Sequence, residues 1–308
     1  MNKILLKTFL TVICSIIIFT VIDFCAYTID WFEIKKLHDK YGTWLIPYKY
    51  SWVLDSDPYS YIISKSSFRP PVNTQSKKEA VYIFGCSFAY GESLQENKTF
   101  ASQIAKLTNR PVYNFAFPGF SIQHTLYQLE NMDFSEYPPP KYVIYIYIDD
   151  HIRRMLTDFM QPHELNMYPI YKPDKNGNLV FQNKSRITPS IFYIVKKLQC
   201  TYAKYKADSP HYAKENAVLM EKHFLKANEL IKELFPDAKF VVLLYQPKNF
   251  QDKEVIKELE ENGITVISTD DLSSENLSEK KYKLIDSHPS EKVWQLLTKP
   301  FLQMADIN

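Results

Sequence analysis

Apolar and polar positions alternate along this chain in blocks that read as strands and helices in turn. Residues 8–22 (TFLTVICSIIIFTVI) are almost continuously apolar, are preceded by Lys3 and Lys7, and are interrupted by Asp23 before Phe24 to Tyr27 continue the run. Residues 28–79 are aromatic and polar and contain Pro70-Pro71. The short run Ala80-Val81-Tyr82-Ile83-Phe84 then stops at Gly85, as a buried strand does. Phe100, Ile104 and Leu107 recur at helical spacing over 97–107. A second strand is predicted over Val112 to Phe115, a helix over 121–131 and a strongly apolar third strand over Tyr142 to Ile148. After a long amphipathic stretch at 213–234 come a strand at Phe240 to Tyr245, a charged helix at 252–261, a strand at Ile264 to Ile267 and a closing helix at 290–303.

Strands alternating with helices predict an α/β fold, a mostly parallel five-stranded sheet with helices on both faces. The stretch at about 155–211 breaks the rhythm. Its Asp174-Lys175-Asn176-Gly177-Asn178 is a hairpin-turn signal between two β-like runs. It is expected to be an insertion near the rim of the sheet, where insertions often shape a substrate cleft. The predicted organisation is an N-terminal signal anchor over 1–27, a juxtamembrane segment over 28–79 and one catalytic-type domain over 80–308.

The N-terminal run reaches the roughly 20 residues of a membrane-spanning helix only if Asp23 sits near the outer interface. A cleaved signal peptide is the alternative, but no small-x-small site follows the run. Neither Cys14 nor Cys25 follows a small residue, as a lipoprotein cysteine would. Lys3 and Lys7 favour an inside N-terminus, although Lys35, Lys36 and Lys40 weaken the bias. The expectation is a single-pass protein of the cell membrane with its main domain extracytoplasmic.

Composition narrows the chemistry. Lys and Arg number 37 against 35 Asp and Glu, a net charge of +2, so no global field points to nucleic acid. The six glycines are sparse, and Gly85, Gly91 and Gly119 cluster within 85–119, marking that stretch as one where the backbone builds something. No cysteine pair or histidine spacing suits a metal; His211 and His223 stand twelve apart. No cofactor is implied. A Cys86–Cys200 disulfide is open to the sequence but disfavoured, because Cys86 falls on what reads as a buried turn.

Three pieces carry chemistry. Gly85-Cys86-Ser87-Phe88 follows the first strand, where a serine can expose its hydroxyl at a turn before a helix. Pro118-Gly119-Phe120-Ser121 follows the second strand, where a glycine lets a backbone N–H approach a substrate oxygen. Asp286-Ser287-His288-Pro289 follows the last strand, and a carboxylate two residues from an imidazole can fix its tautomer. Each piece alone is more often an ordinary turn or surface loop. Their joint placement just after predicted strands is what draws attention.

The run Ile83-Phe84-Gly85-Cys86-Ser87-Phe88-Ala89-Tyr90-Gly91 resembles the first block of SGNH hydrolases, the GDSL-like esterases. Asn114-Phe115-Ala116-Phe117-Pro118-Gly119-Phe120 is similar to their second block, and Asp286-Ser287-His288-Pro289 to their last. The resemblance covers roughly 80–150 and 281–303. It implies a flavodoxin-like three-layer α/β/α sandwich, with Ser87 as nucleophile, His288 as general base and Asp286 orienting it. It further implies that the N–H groups of Ser87 and Gly119 belong to an oxyanion hole. Position 86 is Cys where the family name has Asp, and the Asp–His spacing is a residue shorter than the common form. Asp149 stands where the family's third block supplies an Asn. Three readings of it stay open: a protonated donor to the oxyanion, a carboxylate turned toward Arg153 or Arg154, or a weakened site. His151 is a competing base, ranked below His288.

The expected function is a serine esterase that takes O-acyl groups, acetyl above all, from a cell-envelope carbohydrate. The same residues suit an O-acyltransferase with a sugar hydroxyl as acceptor, and a glycan-binding module with a decayed oxyanion hole is the non-enzymatic alternative.

Overall fold

The computed structural model describes residues 7–25, 68–156, 169–182, 198, 201–202, 205–248, 250 and 252–308. The expected α/β/α sandwich is what the chain forms. Strands β1 (Ala80–Gly85), β2 (Val112–Asn114), β3 (Pro140–Tyr147), β6 (Lys239–Leu244) and β7 (Ile264–Ser268) make one sheet in the order β2-β1-β3-β6-β7. Every pairing within it is parallel. Two further strands, β4 (Ile170–Pro173) and β5 (Leu179–Gln182), pair only with each other.

The period of two along each central strand sorts its side chains to opposite faces. Tyr82, Phe84, Val143, Tyr145, Phe240 and Val242 enter one core, with Leu126 of the helix Ile122–Asn131 and Phe224 of the helix Ala213–Leu234. Val81, Ile83, Ile144, Ile146, Val241 and Leu243 enter the other. There they meet Ile104 of the helix Phe100–Thr108 and Trp294, Leu297 and Phe301 of the helix Glu291–Met304. Both faces of the sheet are covered, which is why β1 and most of β3 read as unbroken apolar runs rather than as alternation.

One expected core position is corrected. Leu107 is half exposed, and the buried face of its helix is Phe100, Ala101, Ile104, Ala105 and Thr108. The small residues Ala101 and Ala105 let the helix lie close to the sheet, and Leu107 falls outside that stripe.

The insertion does contain the expected hairpin, turned at Asp174 and Gly177. It lies against helices rather than on the sheet edge. Tyr171 donates to Glu130 Oε2 at 2.6 Å, and the Tyr127 and Phe181 rings are 5.4 Å apart. The rest of the insertion, including Cys200, lies outside the described residues, as does most of 28–79.

The N-terminal helix Lys7–Cys25 is 19 residues long with a mean hydropathy of 2.3. Nearly all its apolar side chains are exposed. At 1.5 Å per residue it is about 28 Å long, close to the thickness of a bilayer's hydrocarbon core. Length and composition suit a membrane anchor and a signal sequence equally.

Candidate active site

The strand order places a topological switch point between β1 and β3, because the chain leaves β1 toward one edge and returns on the other side of it. In open α/β sheets the crevice outside the carboxyl ends of such strands is where ligands bind. Ser87 follows β1, Gly119 follows β2 and Asp149 follows β3, so all three candidate residues lie at that end.

Local geometry turns β1 into this site. Gly85 takes φ +139°, and Ser87–Tyr90 forms a single helical turn that Gly91 ends at φ +78°. A Cβ on Gly85 would stand 2.9 Å from Ala89 Cβ and 3.0 Å from the Ile146 carbonyl. Neither neighbour can swing aside, so the short helix approaches β3 only because position 85 has no side chain. Gly177 also has a positive φ, +87°, but nothing within 4 Å of its would-be Cβ, so it serves as an uncrowded control. Gly85→Ala is expected to destabilise the fold by about 1–3 kcal/mol more than Gly177→Ala. Equilibrium chemical unfolding of the two variants beside the parent chain measures the difference.

Ser87 is largely buried, at 7% exposure, at the start of this turn. The first N–H groups of a helix have no intrahelical acceptor, that of Ser87 among them. Asn114 ties the turn to β2 by donating to the Ala89 carbonyl at 2.9 Å. Gly119 takes φ +86° in the loop after β2, and Arg154 donates to the carbonyl of the next residue, Phe120. Cys86 is fully buried, and burial pushes its thiol up, so it is poorly placed to compete as a thiolate nucleophile.

The C-terminal loop brings Asp286 and His288 to the same helical turn. Leu284 N–H donates to the His288 carbonyl at 2.8 Å, and Ser287 takes φ +70°. The His288 ring lies 5.4 Å from the ring of Phe88, the residue after Ser87. Asp286 Oδ2 is 3.2 Å from His288 Nδ1, a close ion-pair approach that lacks the alignment of a hydrogen bond. The same carboxylate accepts from Ser93 Oγ at 2.6 Å and from the His288 backbone N–H at 3.1 Å. Burial would raise the Asp286 carboxyl, but the Ser93 hydroxyl and the His288 N–H outweigh it and hold it below the ordinary range.

The described contacts do not link Ser87 to His288. His288 Nε2 instead faces Glu92 Oε2 at 3.3 Å. Glu92 and Ser93 are the site residues that motif reading passed over, although they follow Gly91 directly. Arg69 was passed over as well. It donates to the carbonyls of Gly91 at 2.6 Å and Leu94 at 3.0 Å, pairs with Glu96 at 3.1 Å and lies over the Tyr90 ring. It therefore grips the loop that presents Glu92 and Ser93.

Asp149 accepts from the Tyr147 hydroxyl at 3.0 Å through Oδ1 and from the Lys248 backbone N–H at 2.8 Å through Oδ2. Arg153 and Arg154 both pair with Asp150, at 2.7 and 2.8 Å. Burial raises the Asp150 carboxyl, but Arg154 and Arg153 more than offset this and hold it well below the carboxylate range. His151 is fully buried with Nδ1 2.8 Å from the Tyr145 hydroxyl. Burial, reinforced by Arg154, keeps it neutral, and its place inside the fold leaves the rim to His288. Among the described residues no three His, Cys, Asp or Glu side chains converge as a metal site. A cavity of about 440 Å³ lined by Ser93, Leu94, Lys98, Leu284, Ser290 and Lys292, among others, adjoins the Ser93–Asp286 contact rather than Ser87.

No protein-family profile matches the chain, and no curated protein matches it. Among solved structures it is similar to the acetyl xylan esterase Est2A from the rumen bacterium Butyrivibrio proteoclasticus, at 12% identity and a TM-score of 0.44. That match covers 73% of this chain and 63% of Est2A, so the chain spans less than two thirds of that protein. A protein provisionally placed in the G-D-S-L lipolytic family of Desulfitobacterium hafniense is similar at 11% identity and a TM-score of 0.44, covering 74% of this chain and 99% of that one. A variant of the acetyl-xylooligosaccharide esterase Axe2 from Geobacillus is similar at 16% identity and a TM-score of 0.40, over 76% and 96% of the two chains.

Proposed function

We propose that this chain is a serine-dependent ester hydrolase that removes O-acyl groups, acetyl above all, from a cell-envelope carbohydrate. The observation that carries the reading is the seating of the Asp286–His288 loop on the helical turn that Ser87 begins, at the carboxyl end of β1. In this reading Ser87 Oγ attacks the acyl carbon while its proton passes to His288 Nε2. The oxyanion is met by the N–H groups of Ser87 and Gly119. The alkoxide of the sugar leaves with the proton from His288, and water, deprotonated in turn by His288, releases the acid from Ser87. The N-terminal helix anchors the protein in the membrane, with the catalytic domain on the outer side.

Asp149 enters the reading as a neutral donor to the oxyanion. Its described partners, Tyr147 and Lys248, both donate to it, so this role requires a proton on one oxygen and a local rearrangement. Asp149→Asn supplies an N–H donor without the added proton and should retain or raise ester turnover, read as kcat/KM. A severe loss removes Asp149 from the oxyanion hole.

A second reading keeps the Ser87 acyl-enzyme but passes the acyl group to a sugar hydroxyl. The burial of Ser87, at 7% exposure, favours it, because a screened nucleophile limits attack by bulk water. The test is product analysis: the full-length protein in detergent is given an acetylated oligosaccharide together with an unacetylated one. Free acetate supports hydrolysis, acetyl carried to the second glycan supports transfer, and neither product, with Ser87 inert to a fluorophosphonate, removes both.

A further inference from the structure

The group on the reacting side of His288 is Glu92. Its carboxylate faces Nε2 at 3.3 Å while Asp286 faces Nδ1 at 3.2 Å, so the imidazole stands between two carboxylates, one per ring nitrogen. Only a ring with a proton on each nitrogen can donate to both. Nε2 is also the atom that must take the Ser87 proton, and an Nε2–H directed at Glu92 has no lone pair to offer.

Glu92 is held in this place by the fold. Gly91 turns the chain out of the Ser87 helix at φ +78°, and Arg69 grips the carbonyls of Gly91 and Leu94 on either side of Glu92 and Ser93. The Glu92 side chain is 23% exposed, less than its length would allow on an open loop. The charged groups facing it are His288, Asp286, Arg154 and Arg69. Burial pushes its carboxyl up, with His288 the strongest opposing influence, so its charge depends on the imidazole it touches.

We propose that Glu92 is a positioning residue that competes with Ser87 for His288 Nε2, holding the base in a resting arrangement that a bound ester must displace. This deepens the serine-esterase reading and rests on it. The carboxylate lies on the side of Nε2 that must receive the serine proton, so the base stays engaged by Glu92 until that contact opens. Removing the carboxylate should therefore speed reaction at Ser87 severalfold.

The test is the rate at which a fluorophosphonate labels the full-length protein in detergent, measured from acid to alkaline pH. Labelling forms the Ser87 Oγ–phosphorus bond, expels fluoride and sends the hydroxyl proton to His288, so it reports the serine–histidine pair without a natural substrate. Glu92→Gln keeps the shape and removes the charge, and Glu92→Ala removes both. Both should label severalfold faster than the parent chain. If both variants label at the parent rate while Ser87→Ala fails to label, Glu92 has no such role and the serine reading survives. If both variants lose labelling at every pH with unchanged unfolding midpoints, Glu92 is required rather than competing, and the proposal is overturned. Labelling that persists in Ser87→Ala removes the serine reading itself.

Discussion

Ser87→Ala is expected to lower ester cleavage by at least about a thousandfold while leaving the fold intact. The magnitude follows from what covalent catalysis supplies: without the nucleophile, only oxyanion stabilisation and binding remain, and these account for a minor part of the rate. The expectation of an intact fold follows from the site. Ser87 is buried but small, and the turn that carries it is held by Gly85, by the Asn114–Ala89 hydrogen bond and by the backbone bonds from Gly91 and Glu92 to the Ser87 carbonyl. Losing one hydroxyl leaves all of these in place. Turnover of p-nitrophenyl acetate by parent and variant, with unfolding midpoints measured alongside, checks both halves. Equal turnover in the two chains would remove Ser87 as nucleophile.

Asp286→Asn should also be severe, a loss on the order of 10⁴ in kcat if His288 depends on it for tautomer and charge. The argument has a pH side. Burial works to raise the Asp286 carboxyl, yet Ser93 and the His288 backbone N–H hold it below its ordinary range, so the native state prefers it ionised. A carboxyl depressed on folding stabilises the native state above its unfolded value of about 3.9. That contribution is lost as pH falls through the depressed native value. Stability of the parent chain should therefore fall in acid more steeply than that of Asp286→Asn, which has no proton to take up. Chemical unfolding at neutral and acid pH reads the sign. Parallel pH dependences would mean that Asp286 is not held ionised by this loop.

How far the sequence could be read depended on the range of the interaction. Strands β1, β3 and β6 stand out because both faces are buried, and such segments need apolar side chains at every position. The helix Ala213–Leu234 was predicted to the residue because its apolar stripe recurs over six turns. Leu107 was misplaced because spacing alone does not say which stripe of a short helix meets the sheet, and small residues chose it. The turns that carry Ser87, Gly119, Asp286 and His288 left short motifs in the sequence, which is why these residues became the candidates. Glu92, Ser93 and Arg69 leave none. Their roles exist only once the loop after Gly91 meets a loop nearly two hundred residues away.

That meeting bears on how the molecule reaches its working form. The Ser93–Asp286 hydrogen bond closes a separation of 193 residues. Joining such distant segments carries a chain-closure entropy that grows with the logarithm of the separation. Parallel strands that also wait for remote partners fold slowly for the same reason. The docking of the Asp286–His288 loop on the segment after Gly91 is therefore expected among the last contacts, after β1, β3 and β6 have joined, and any Ser87-dependent labelling during refolding should trail the appearance of the sheet.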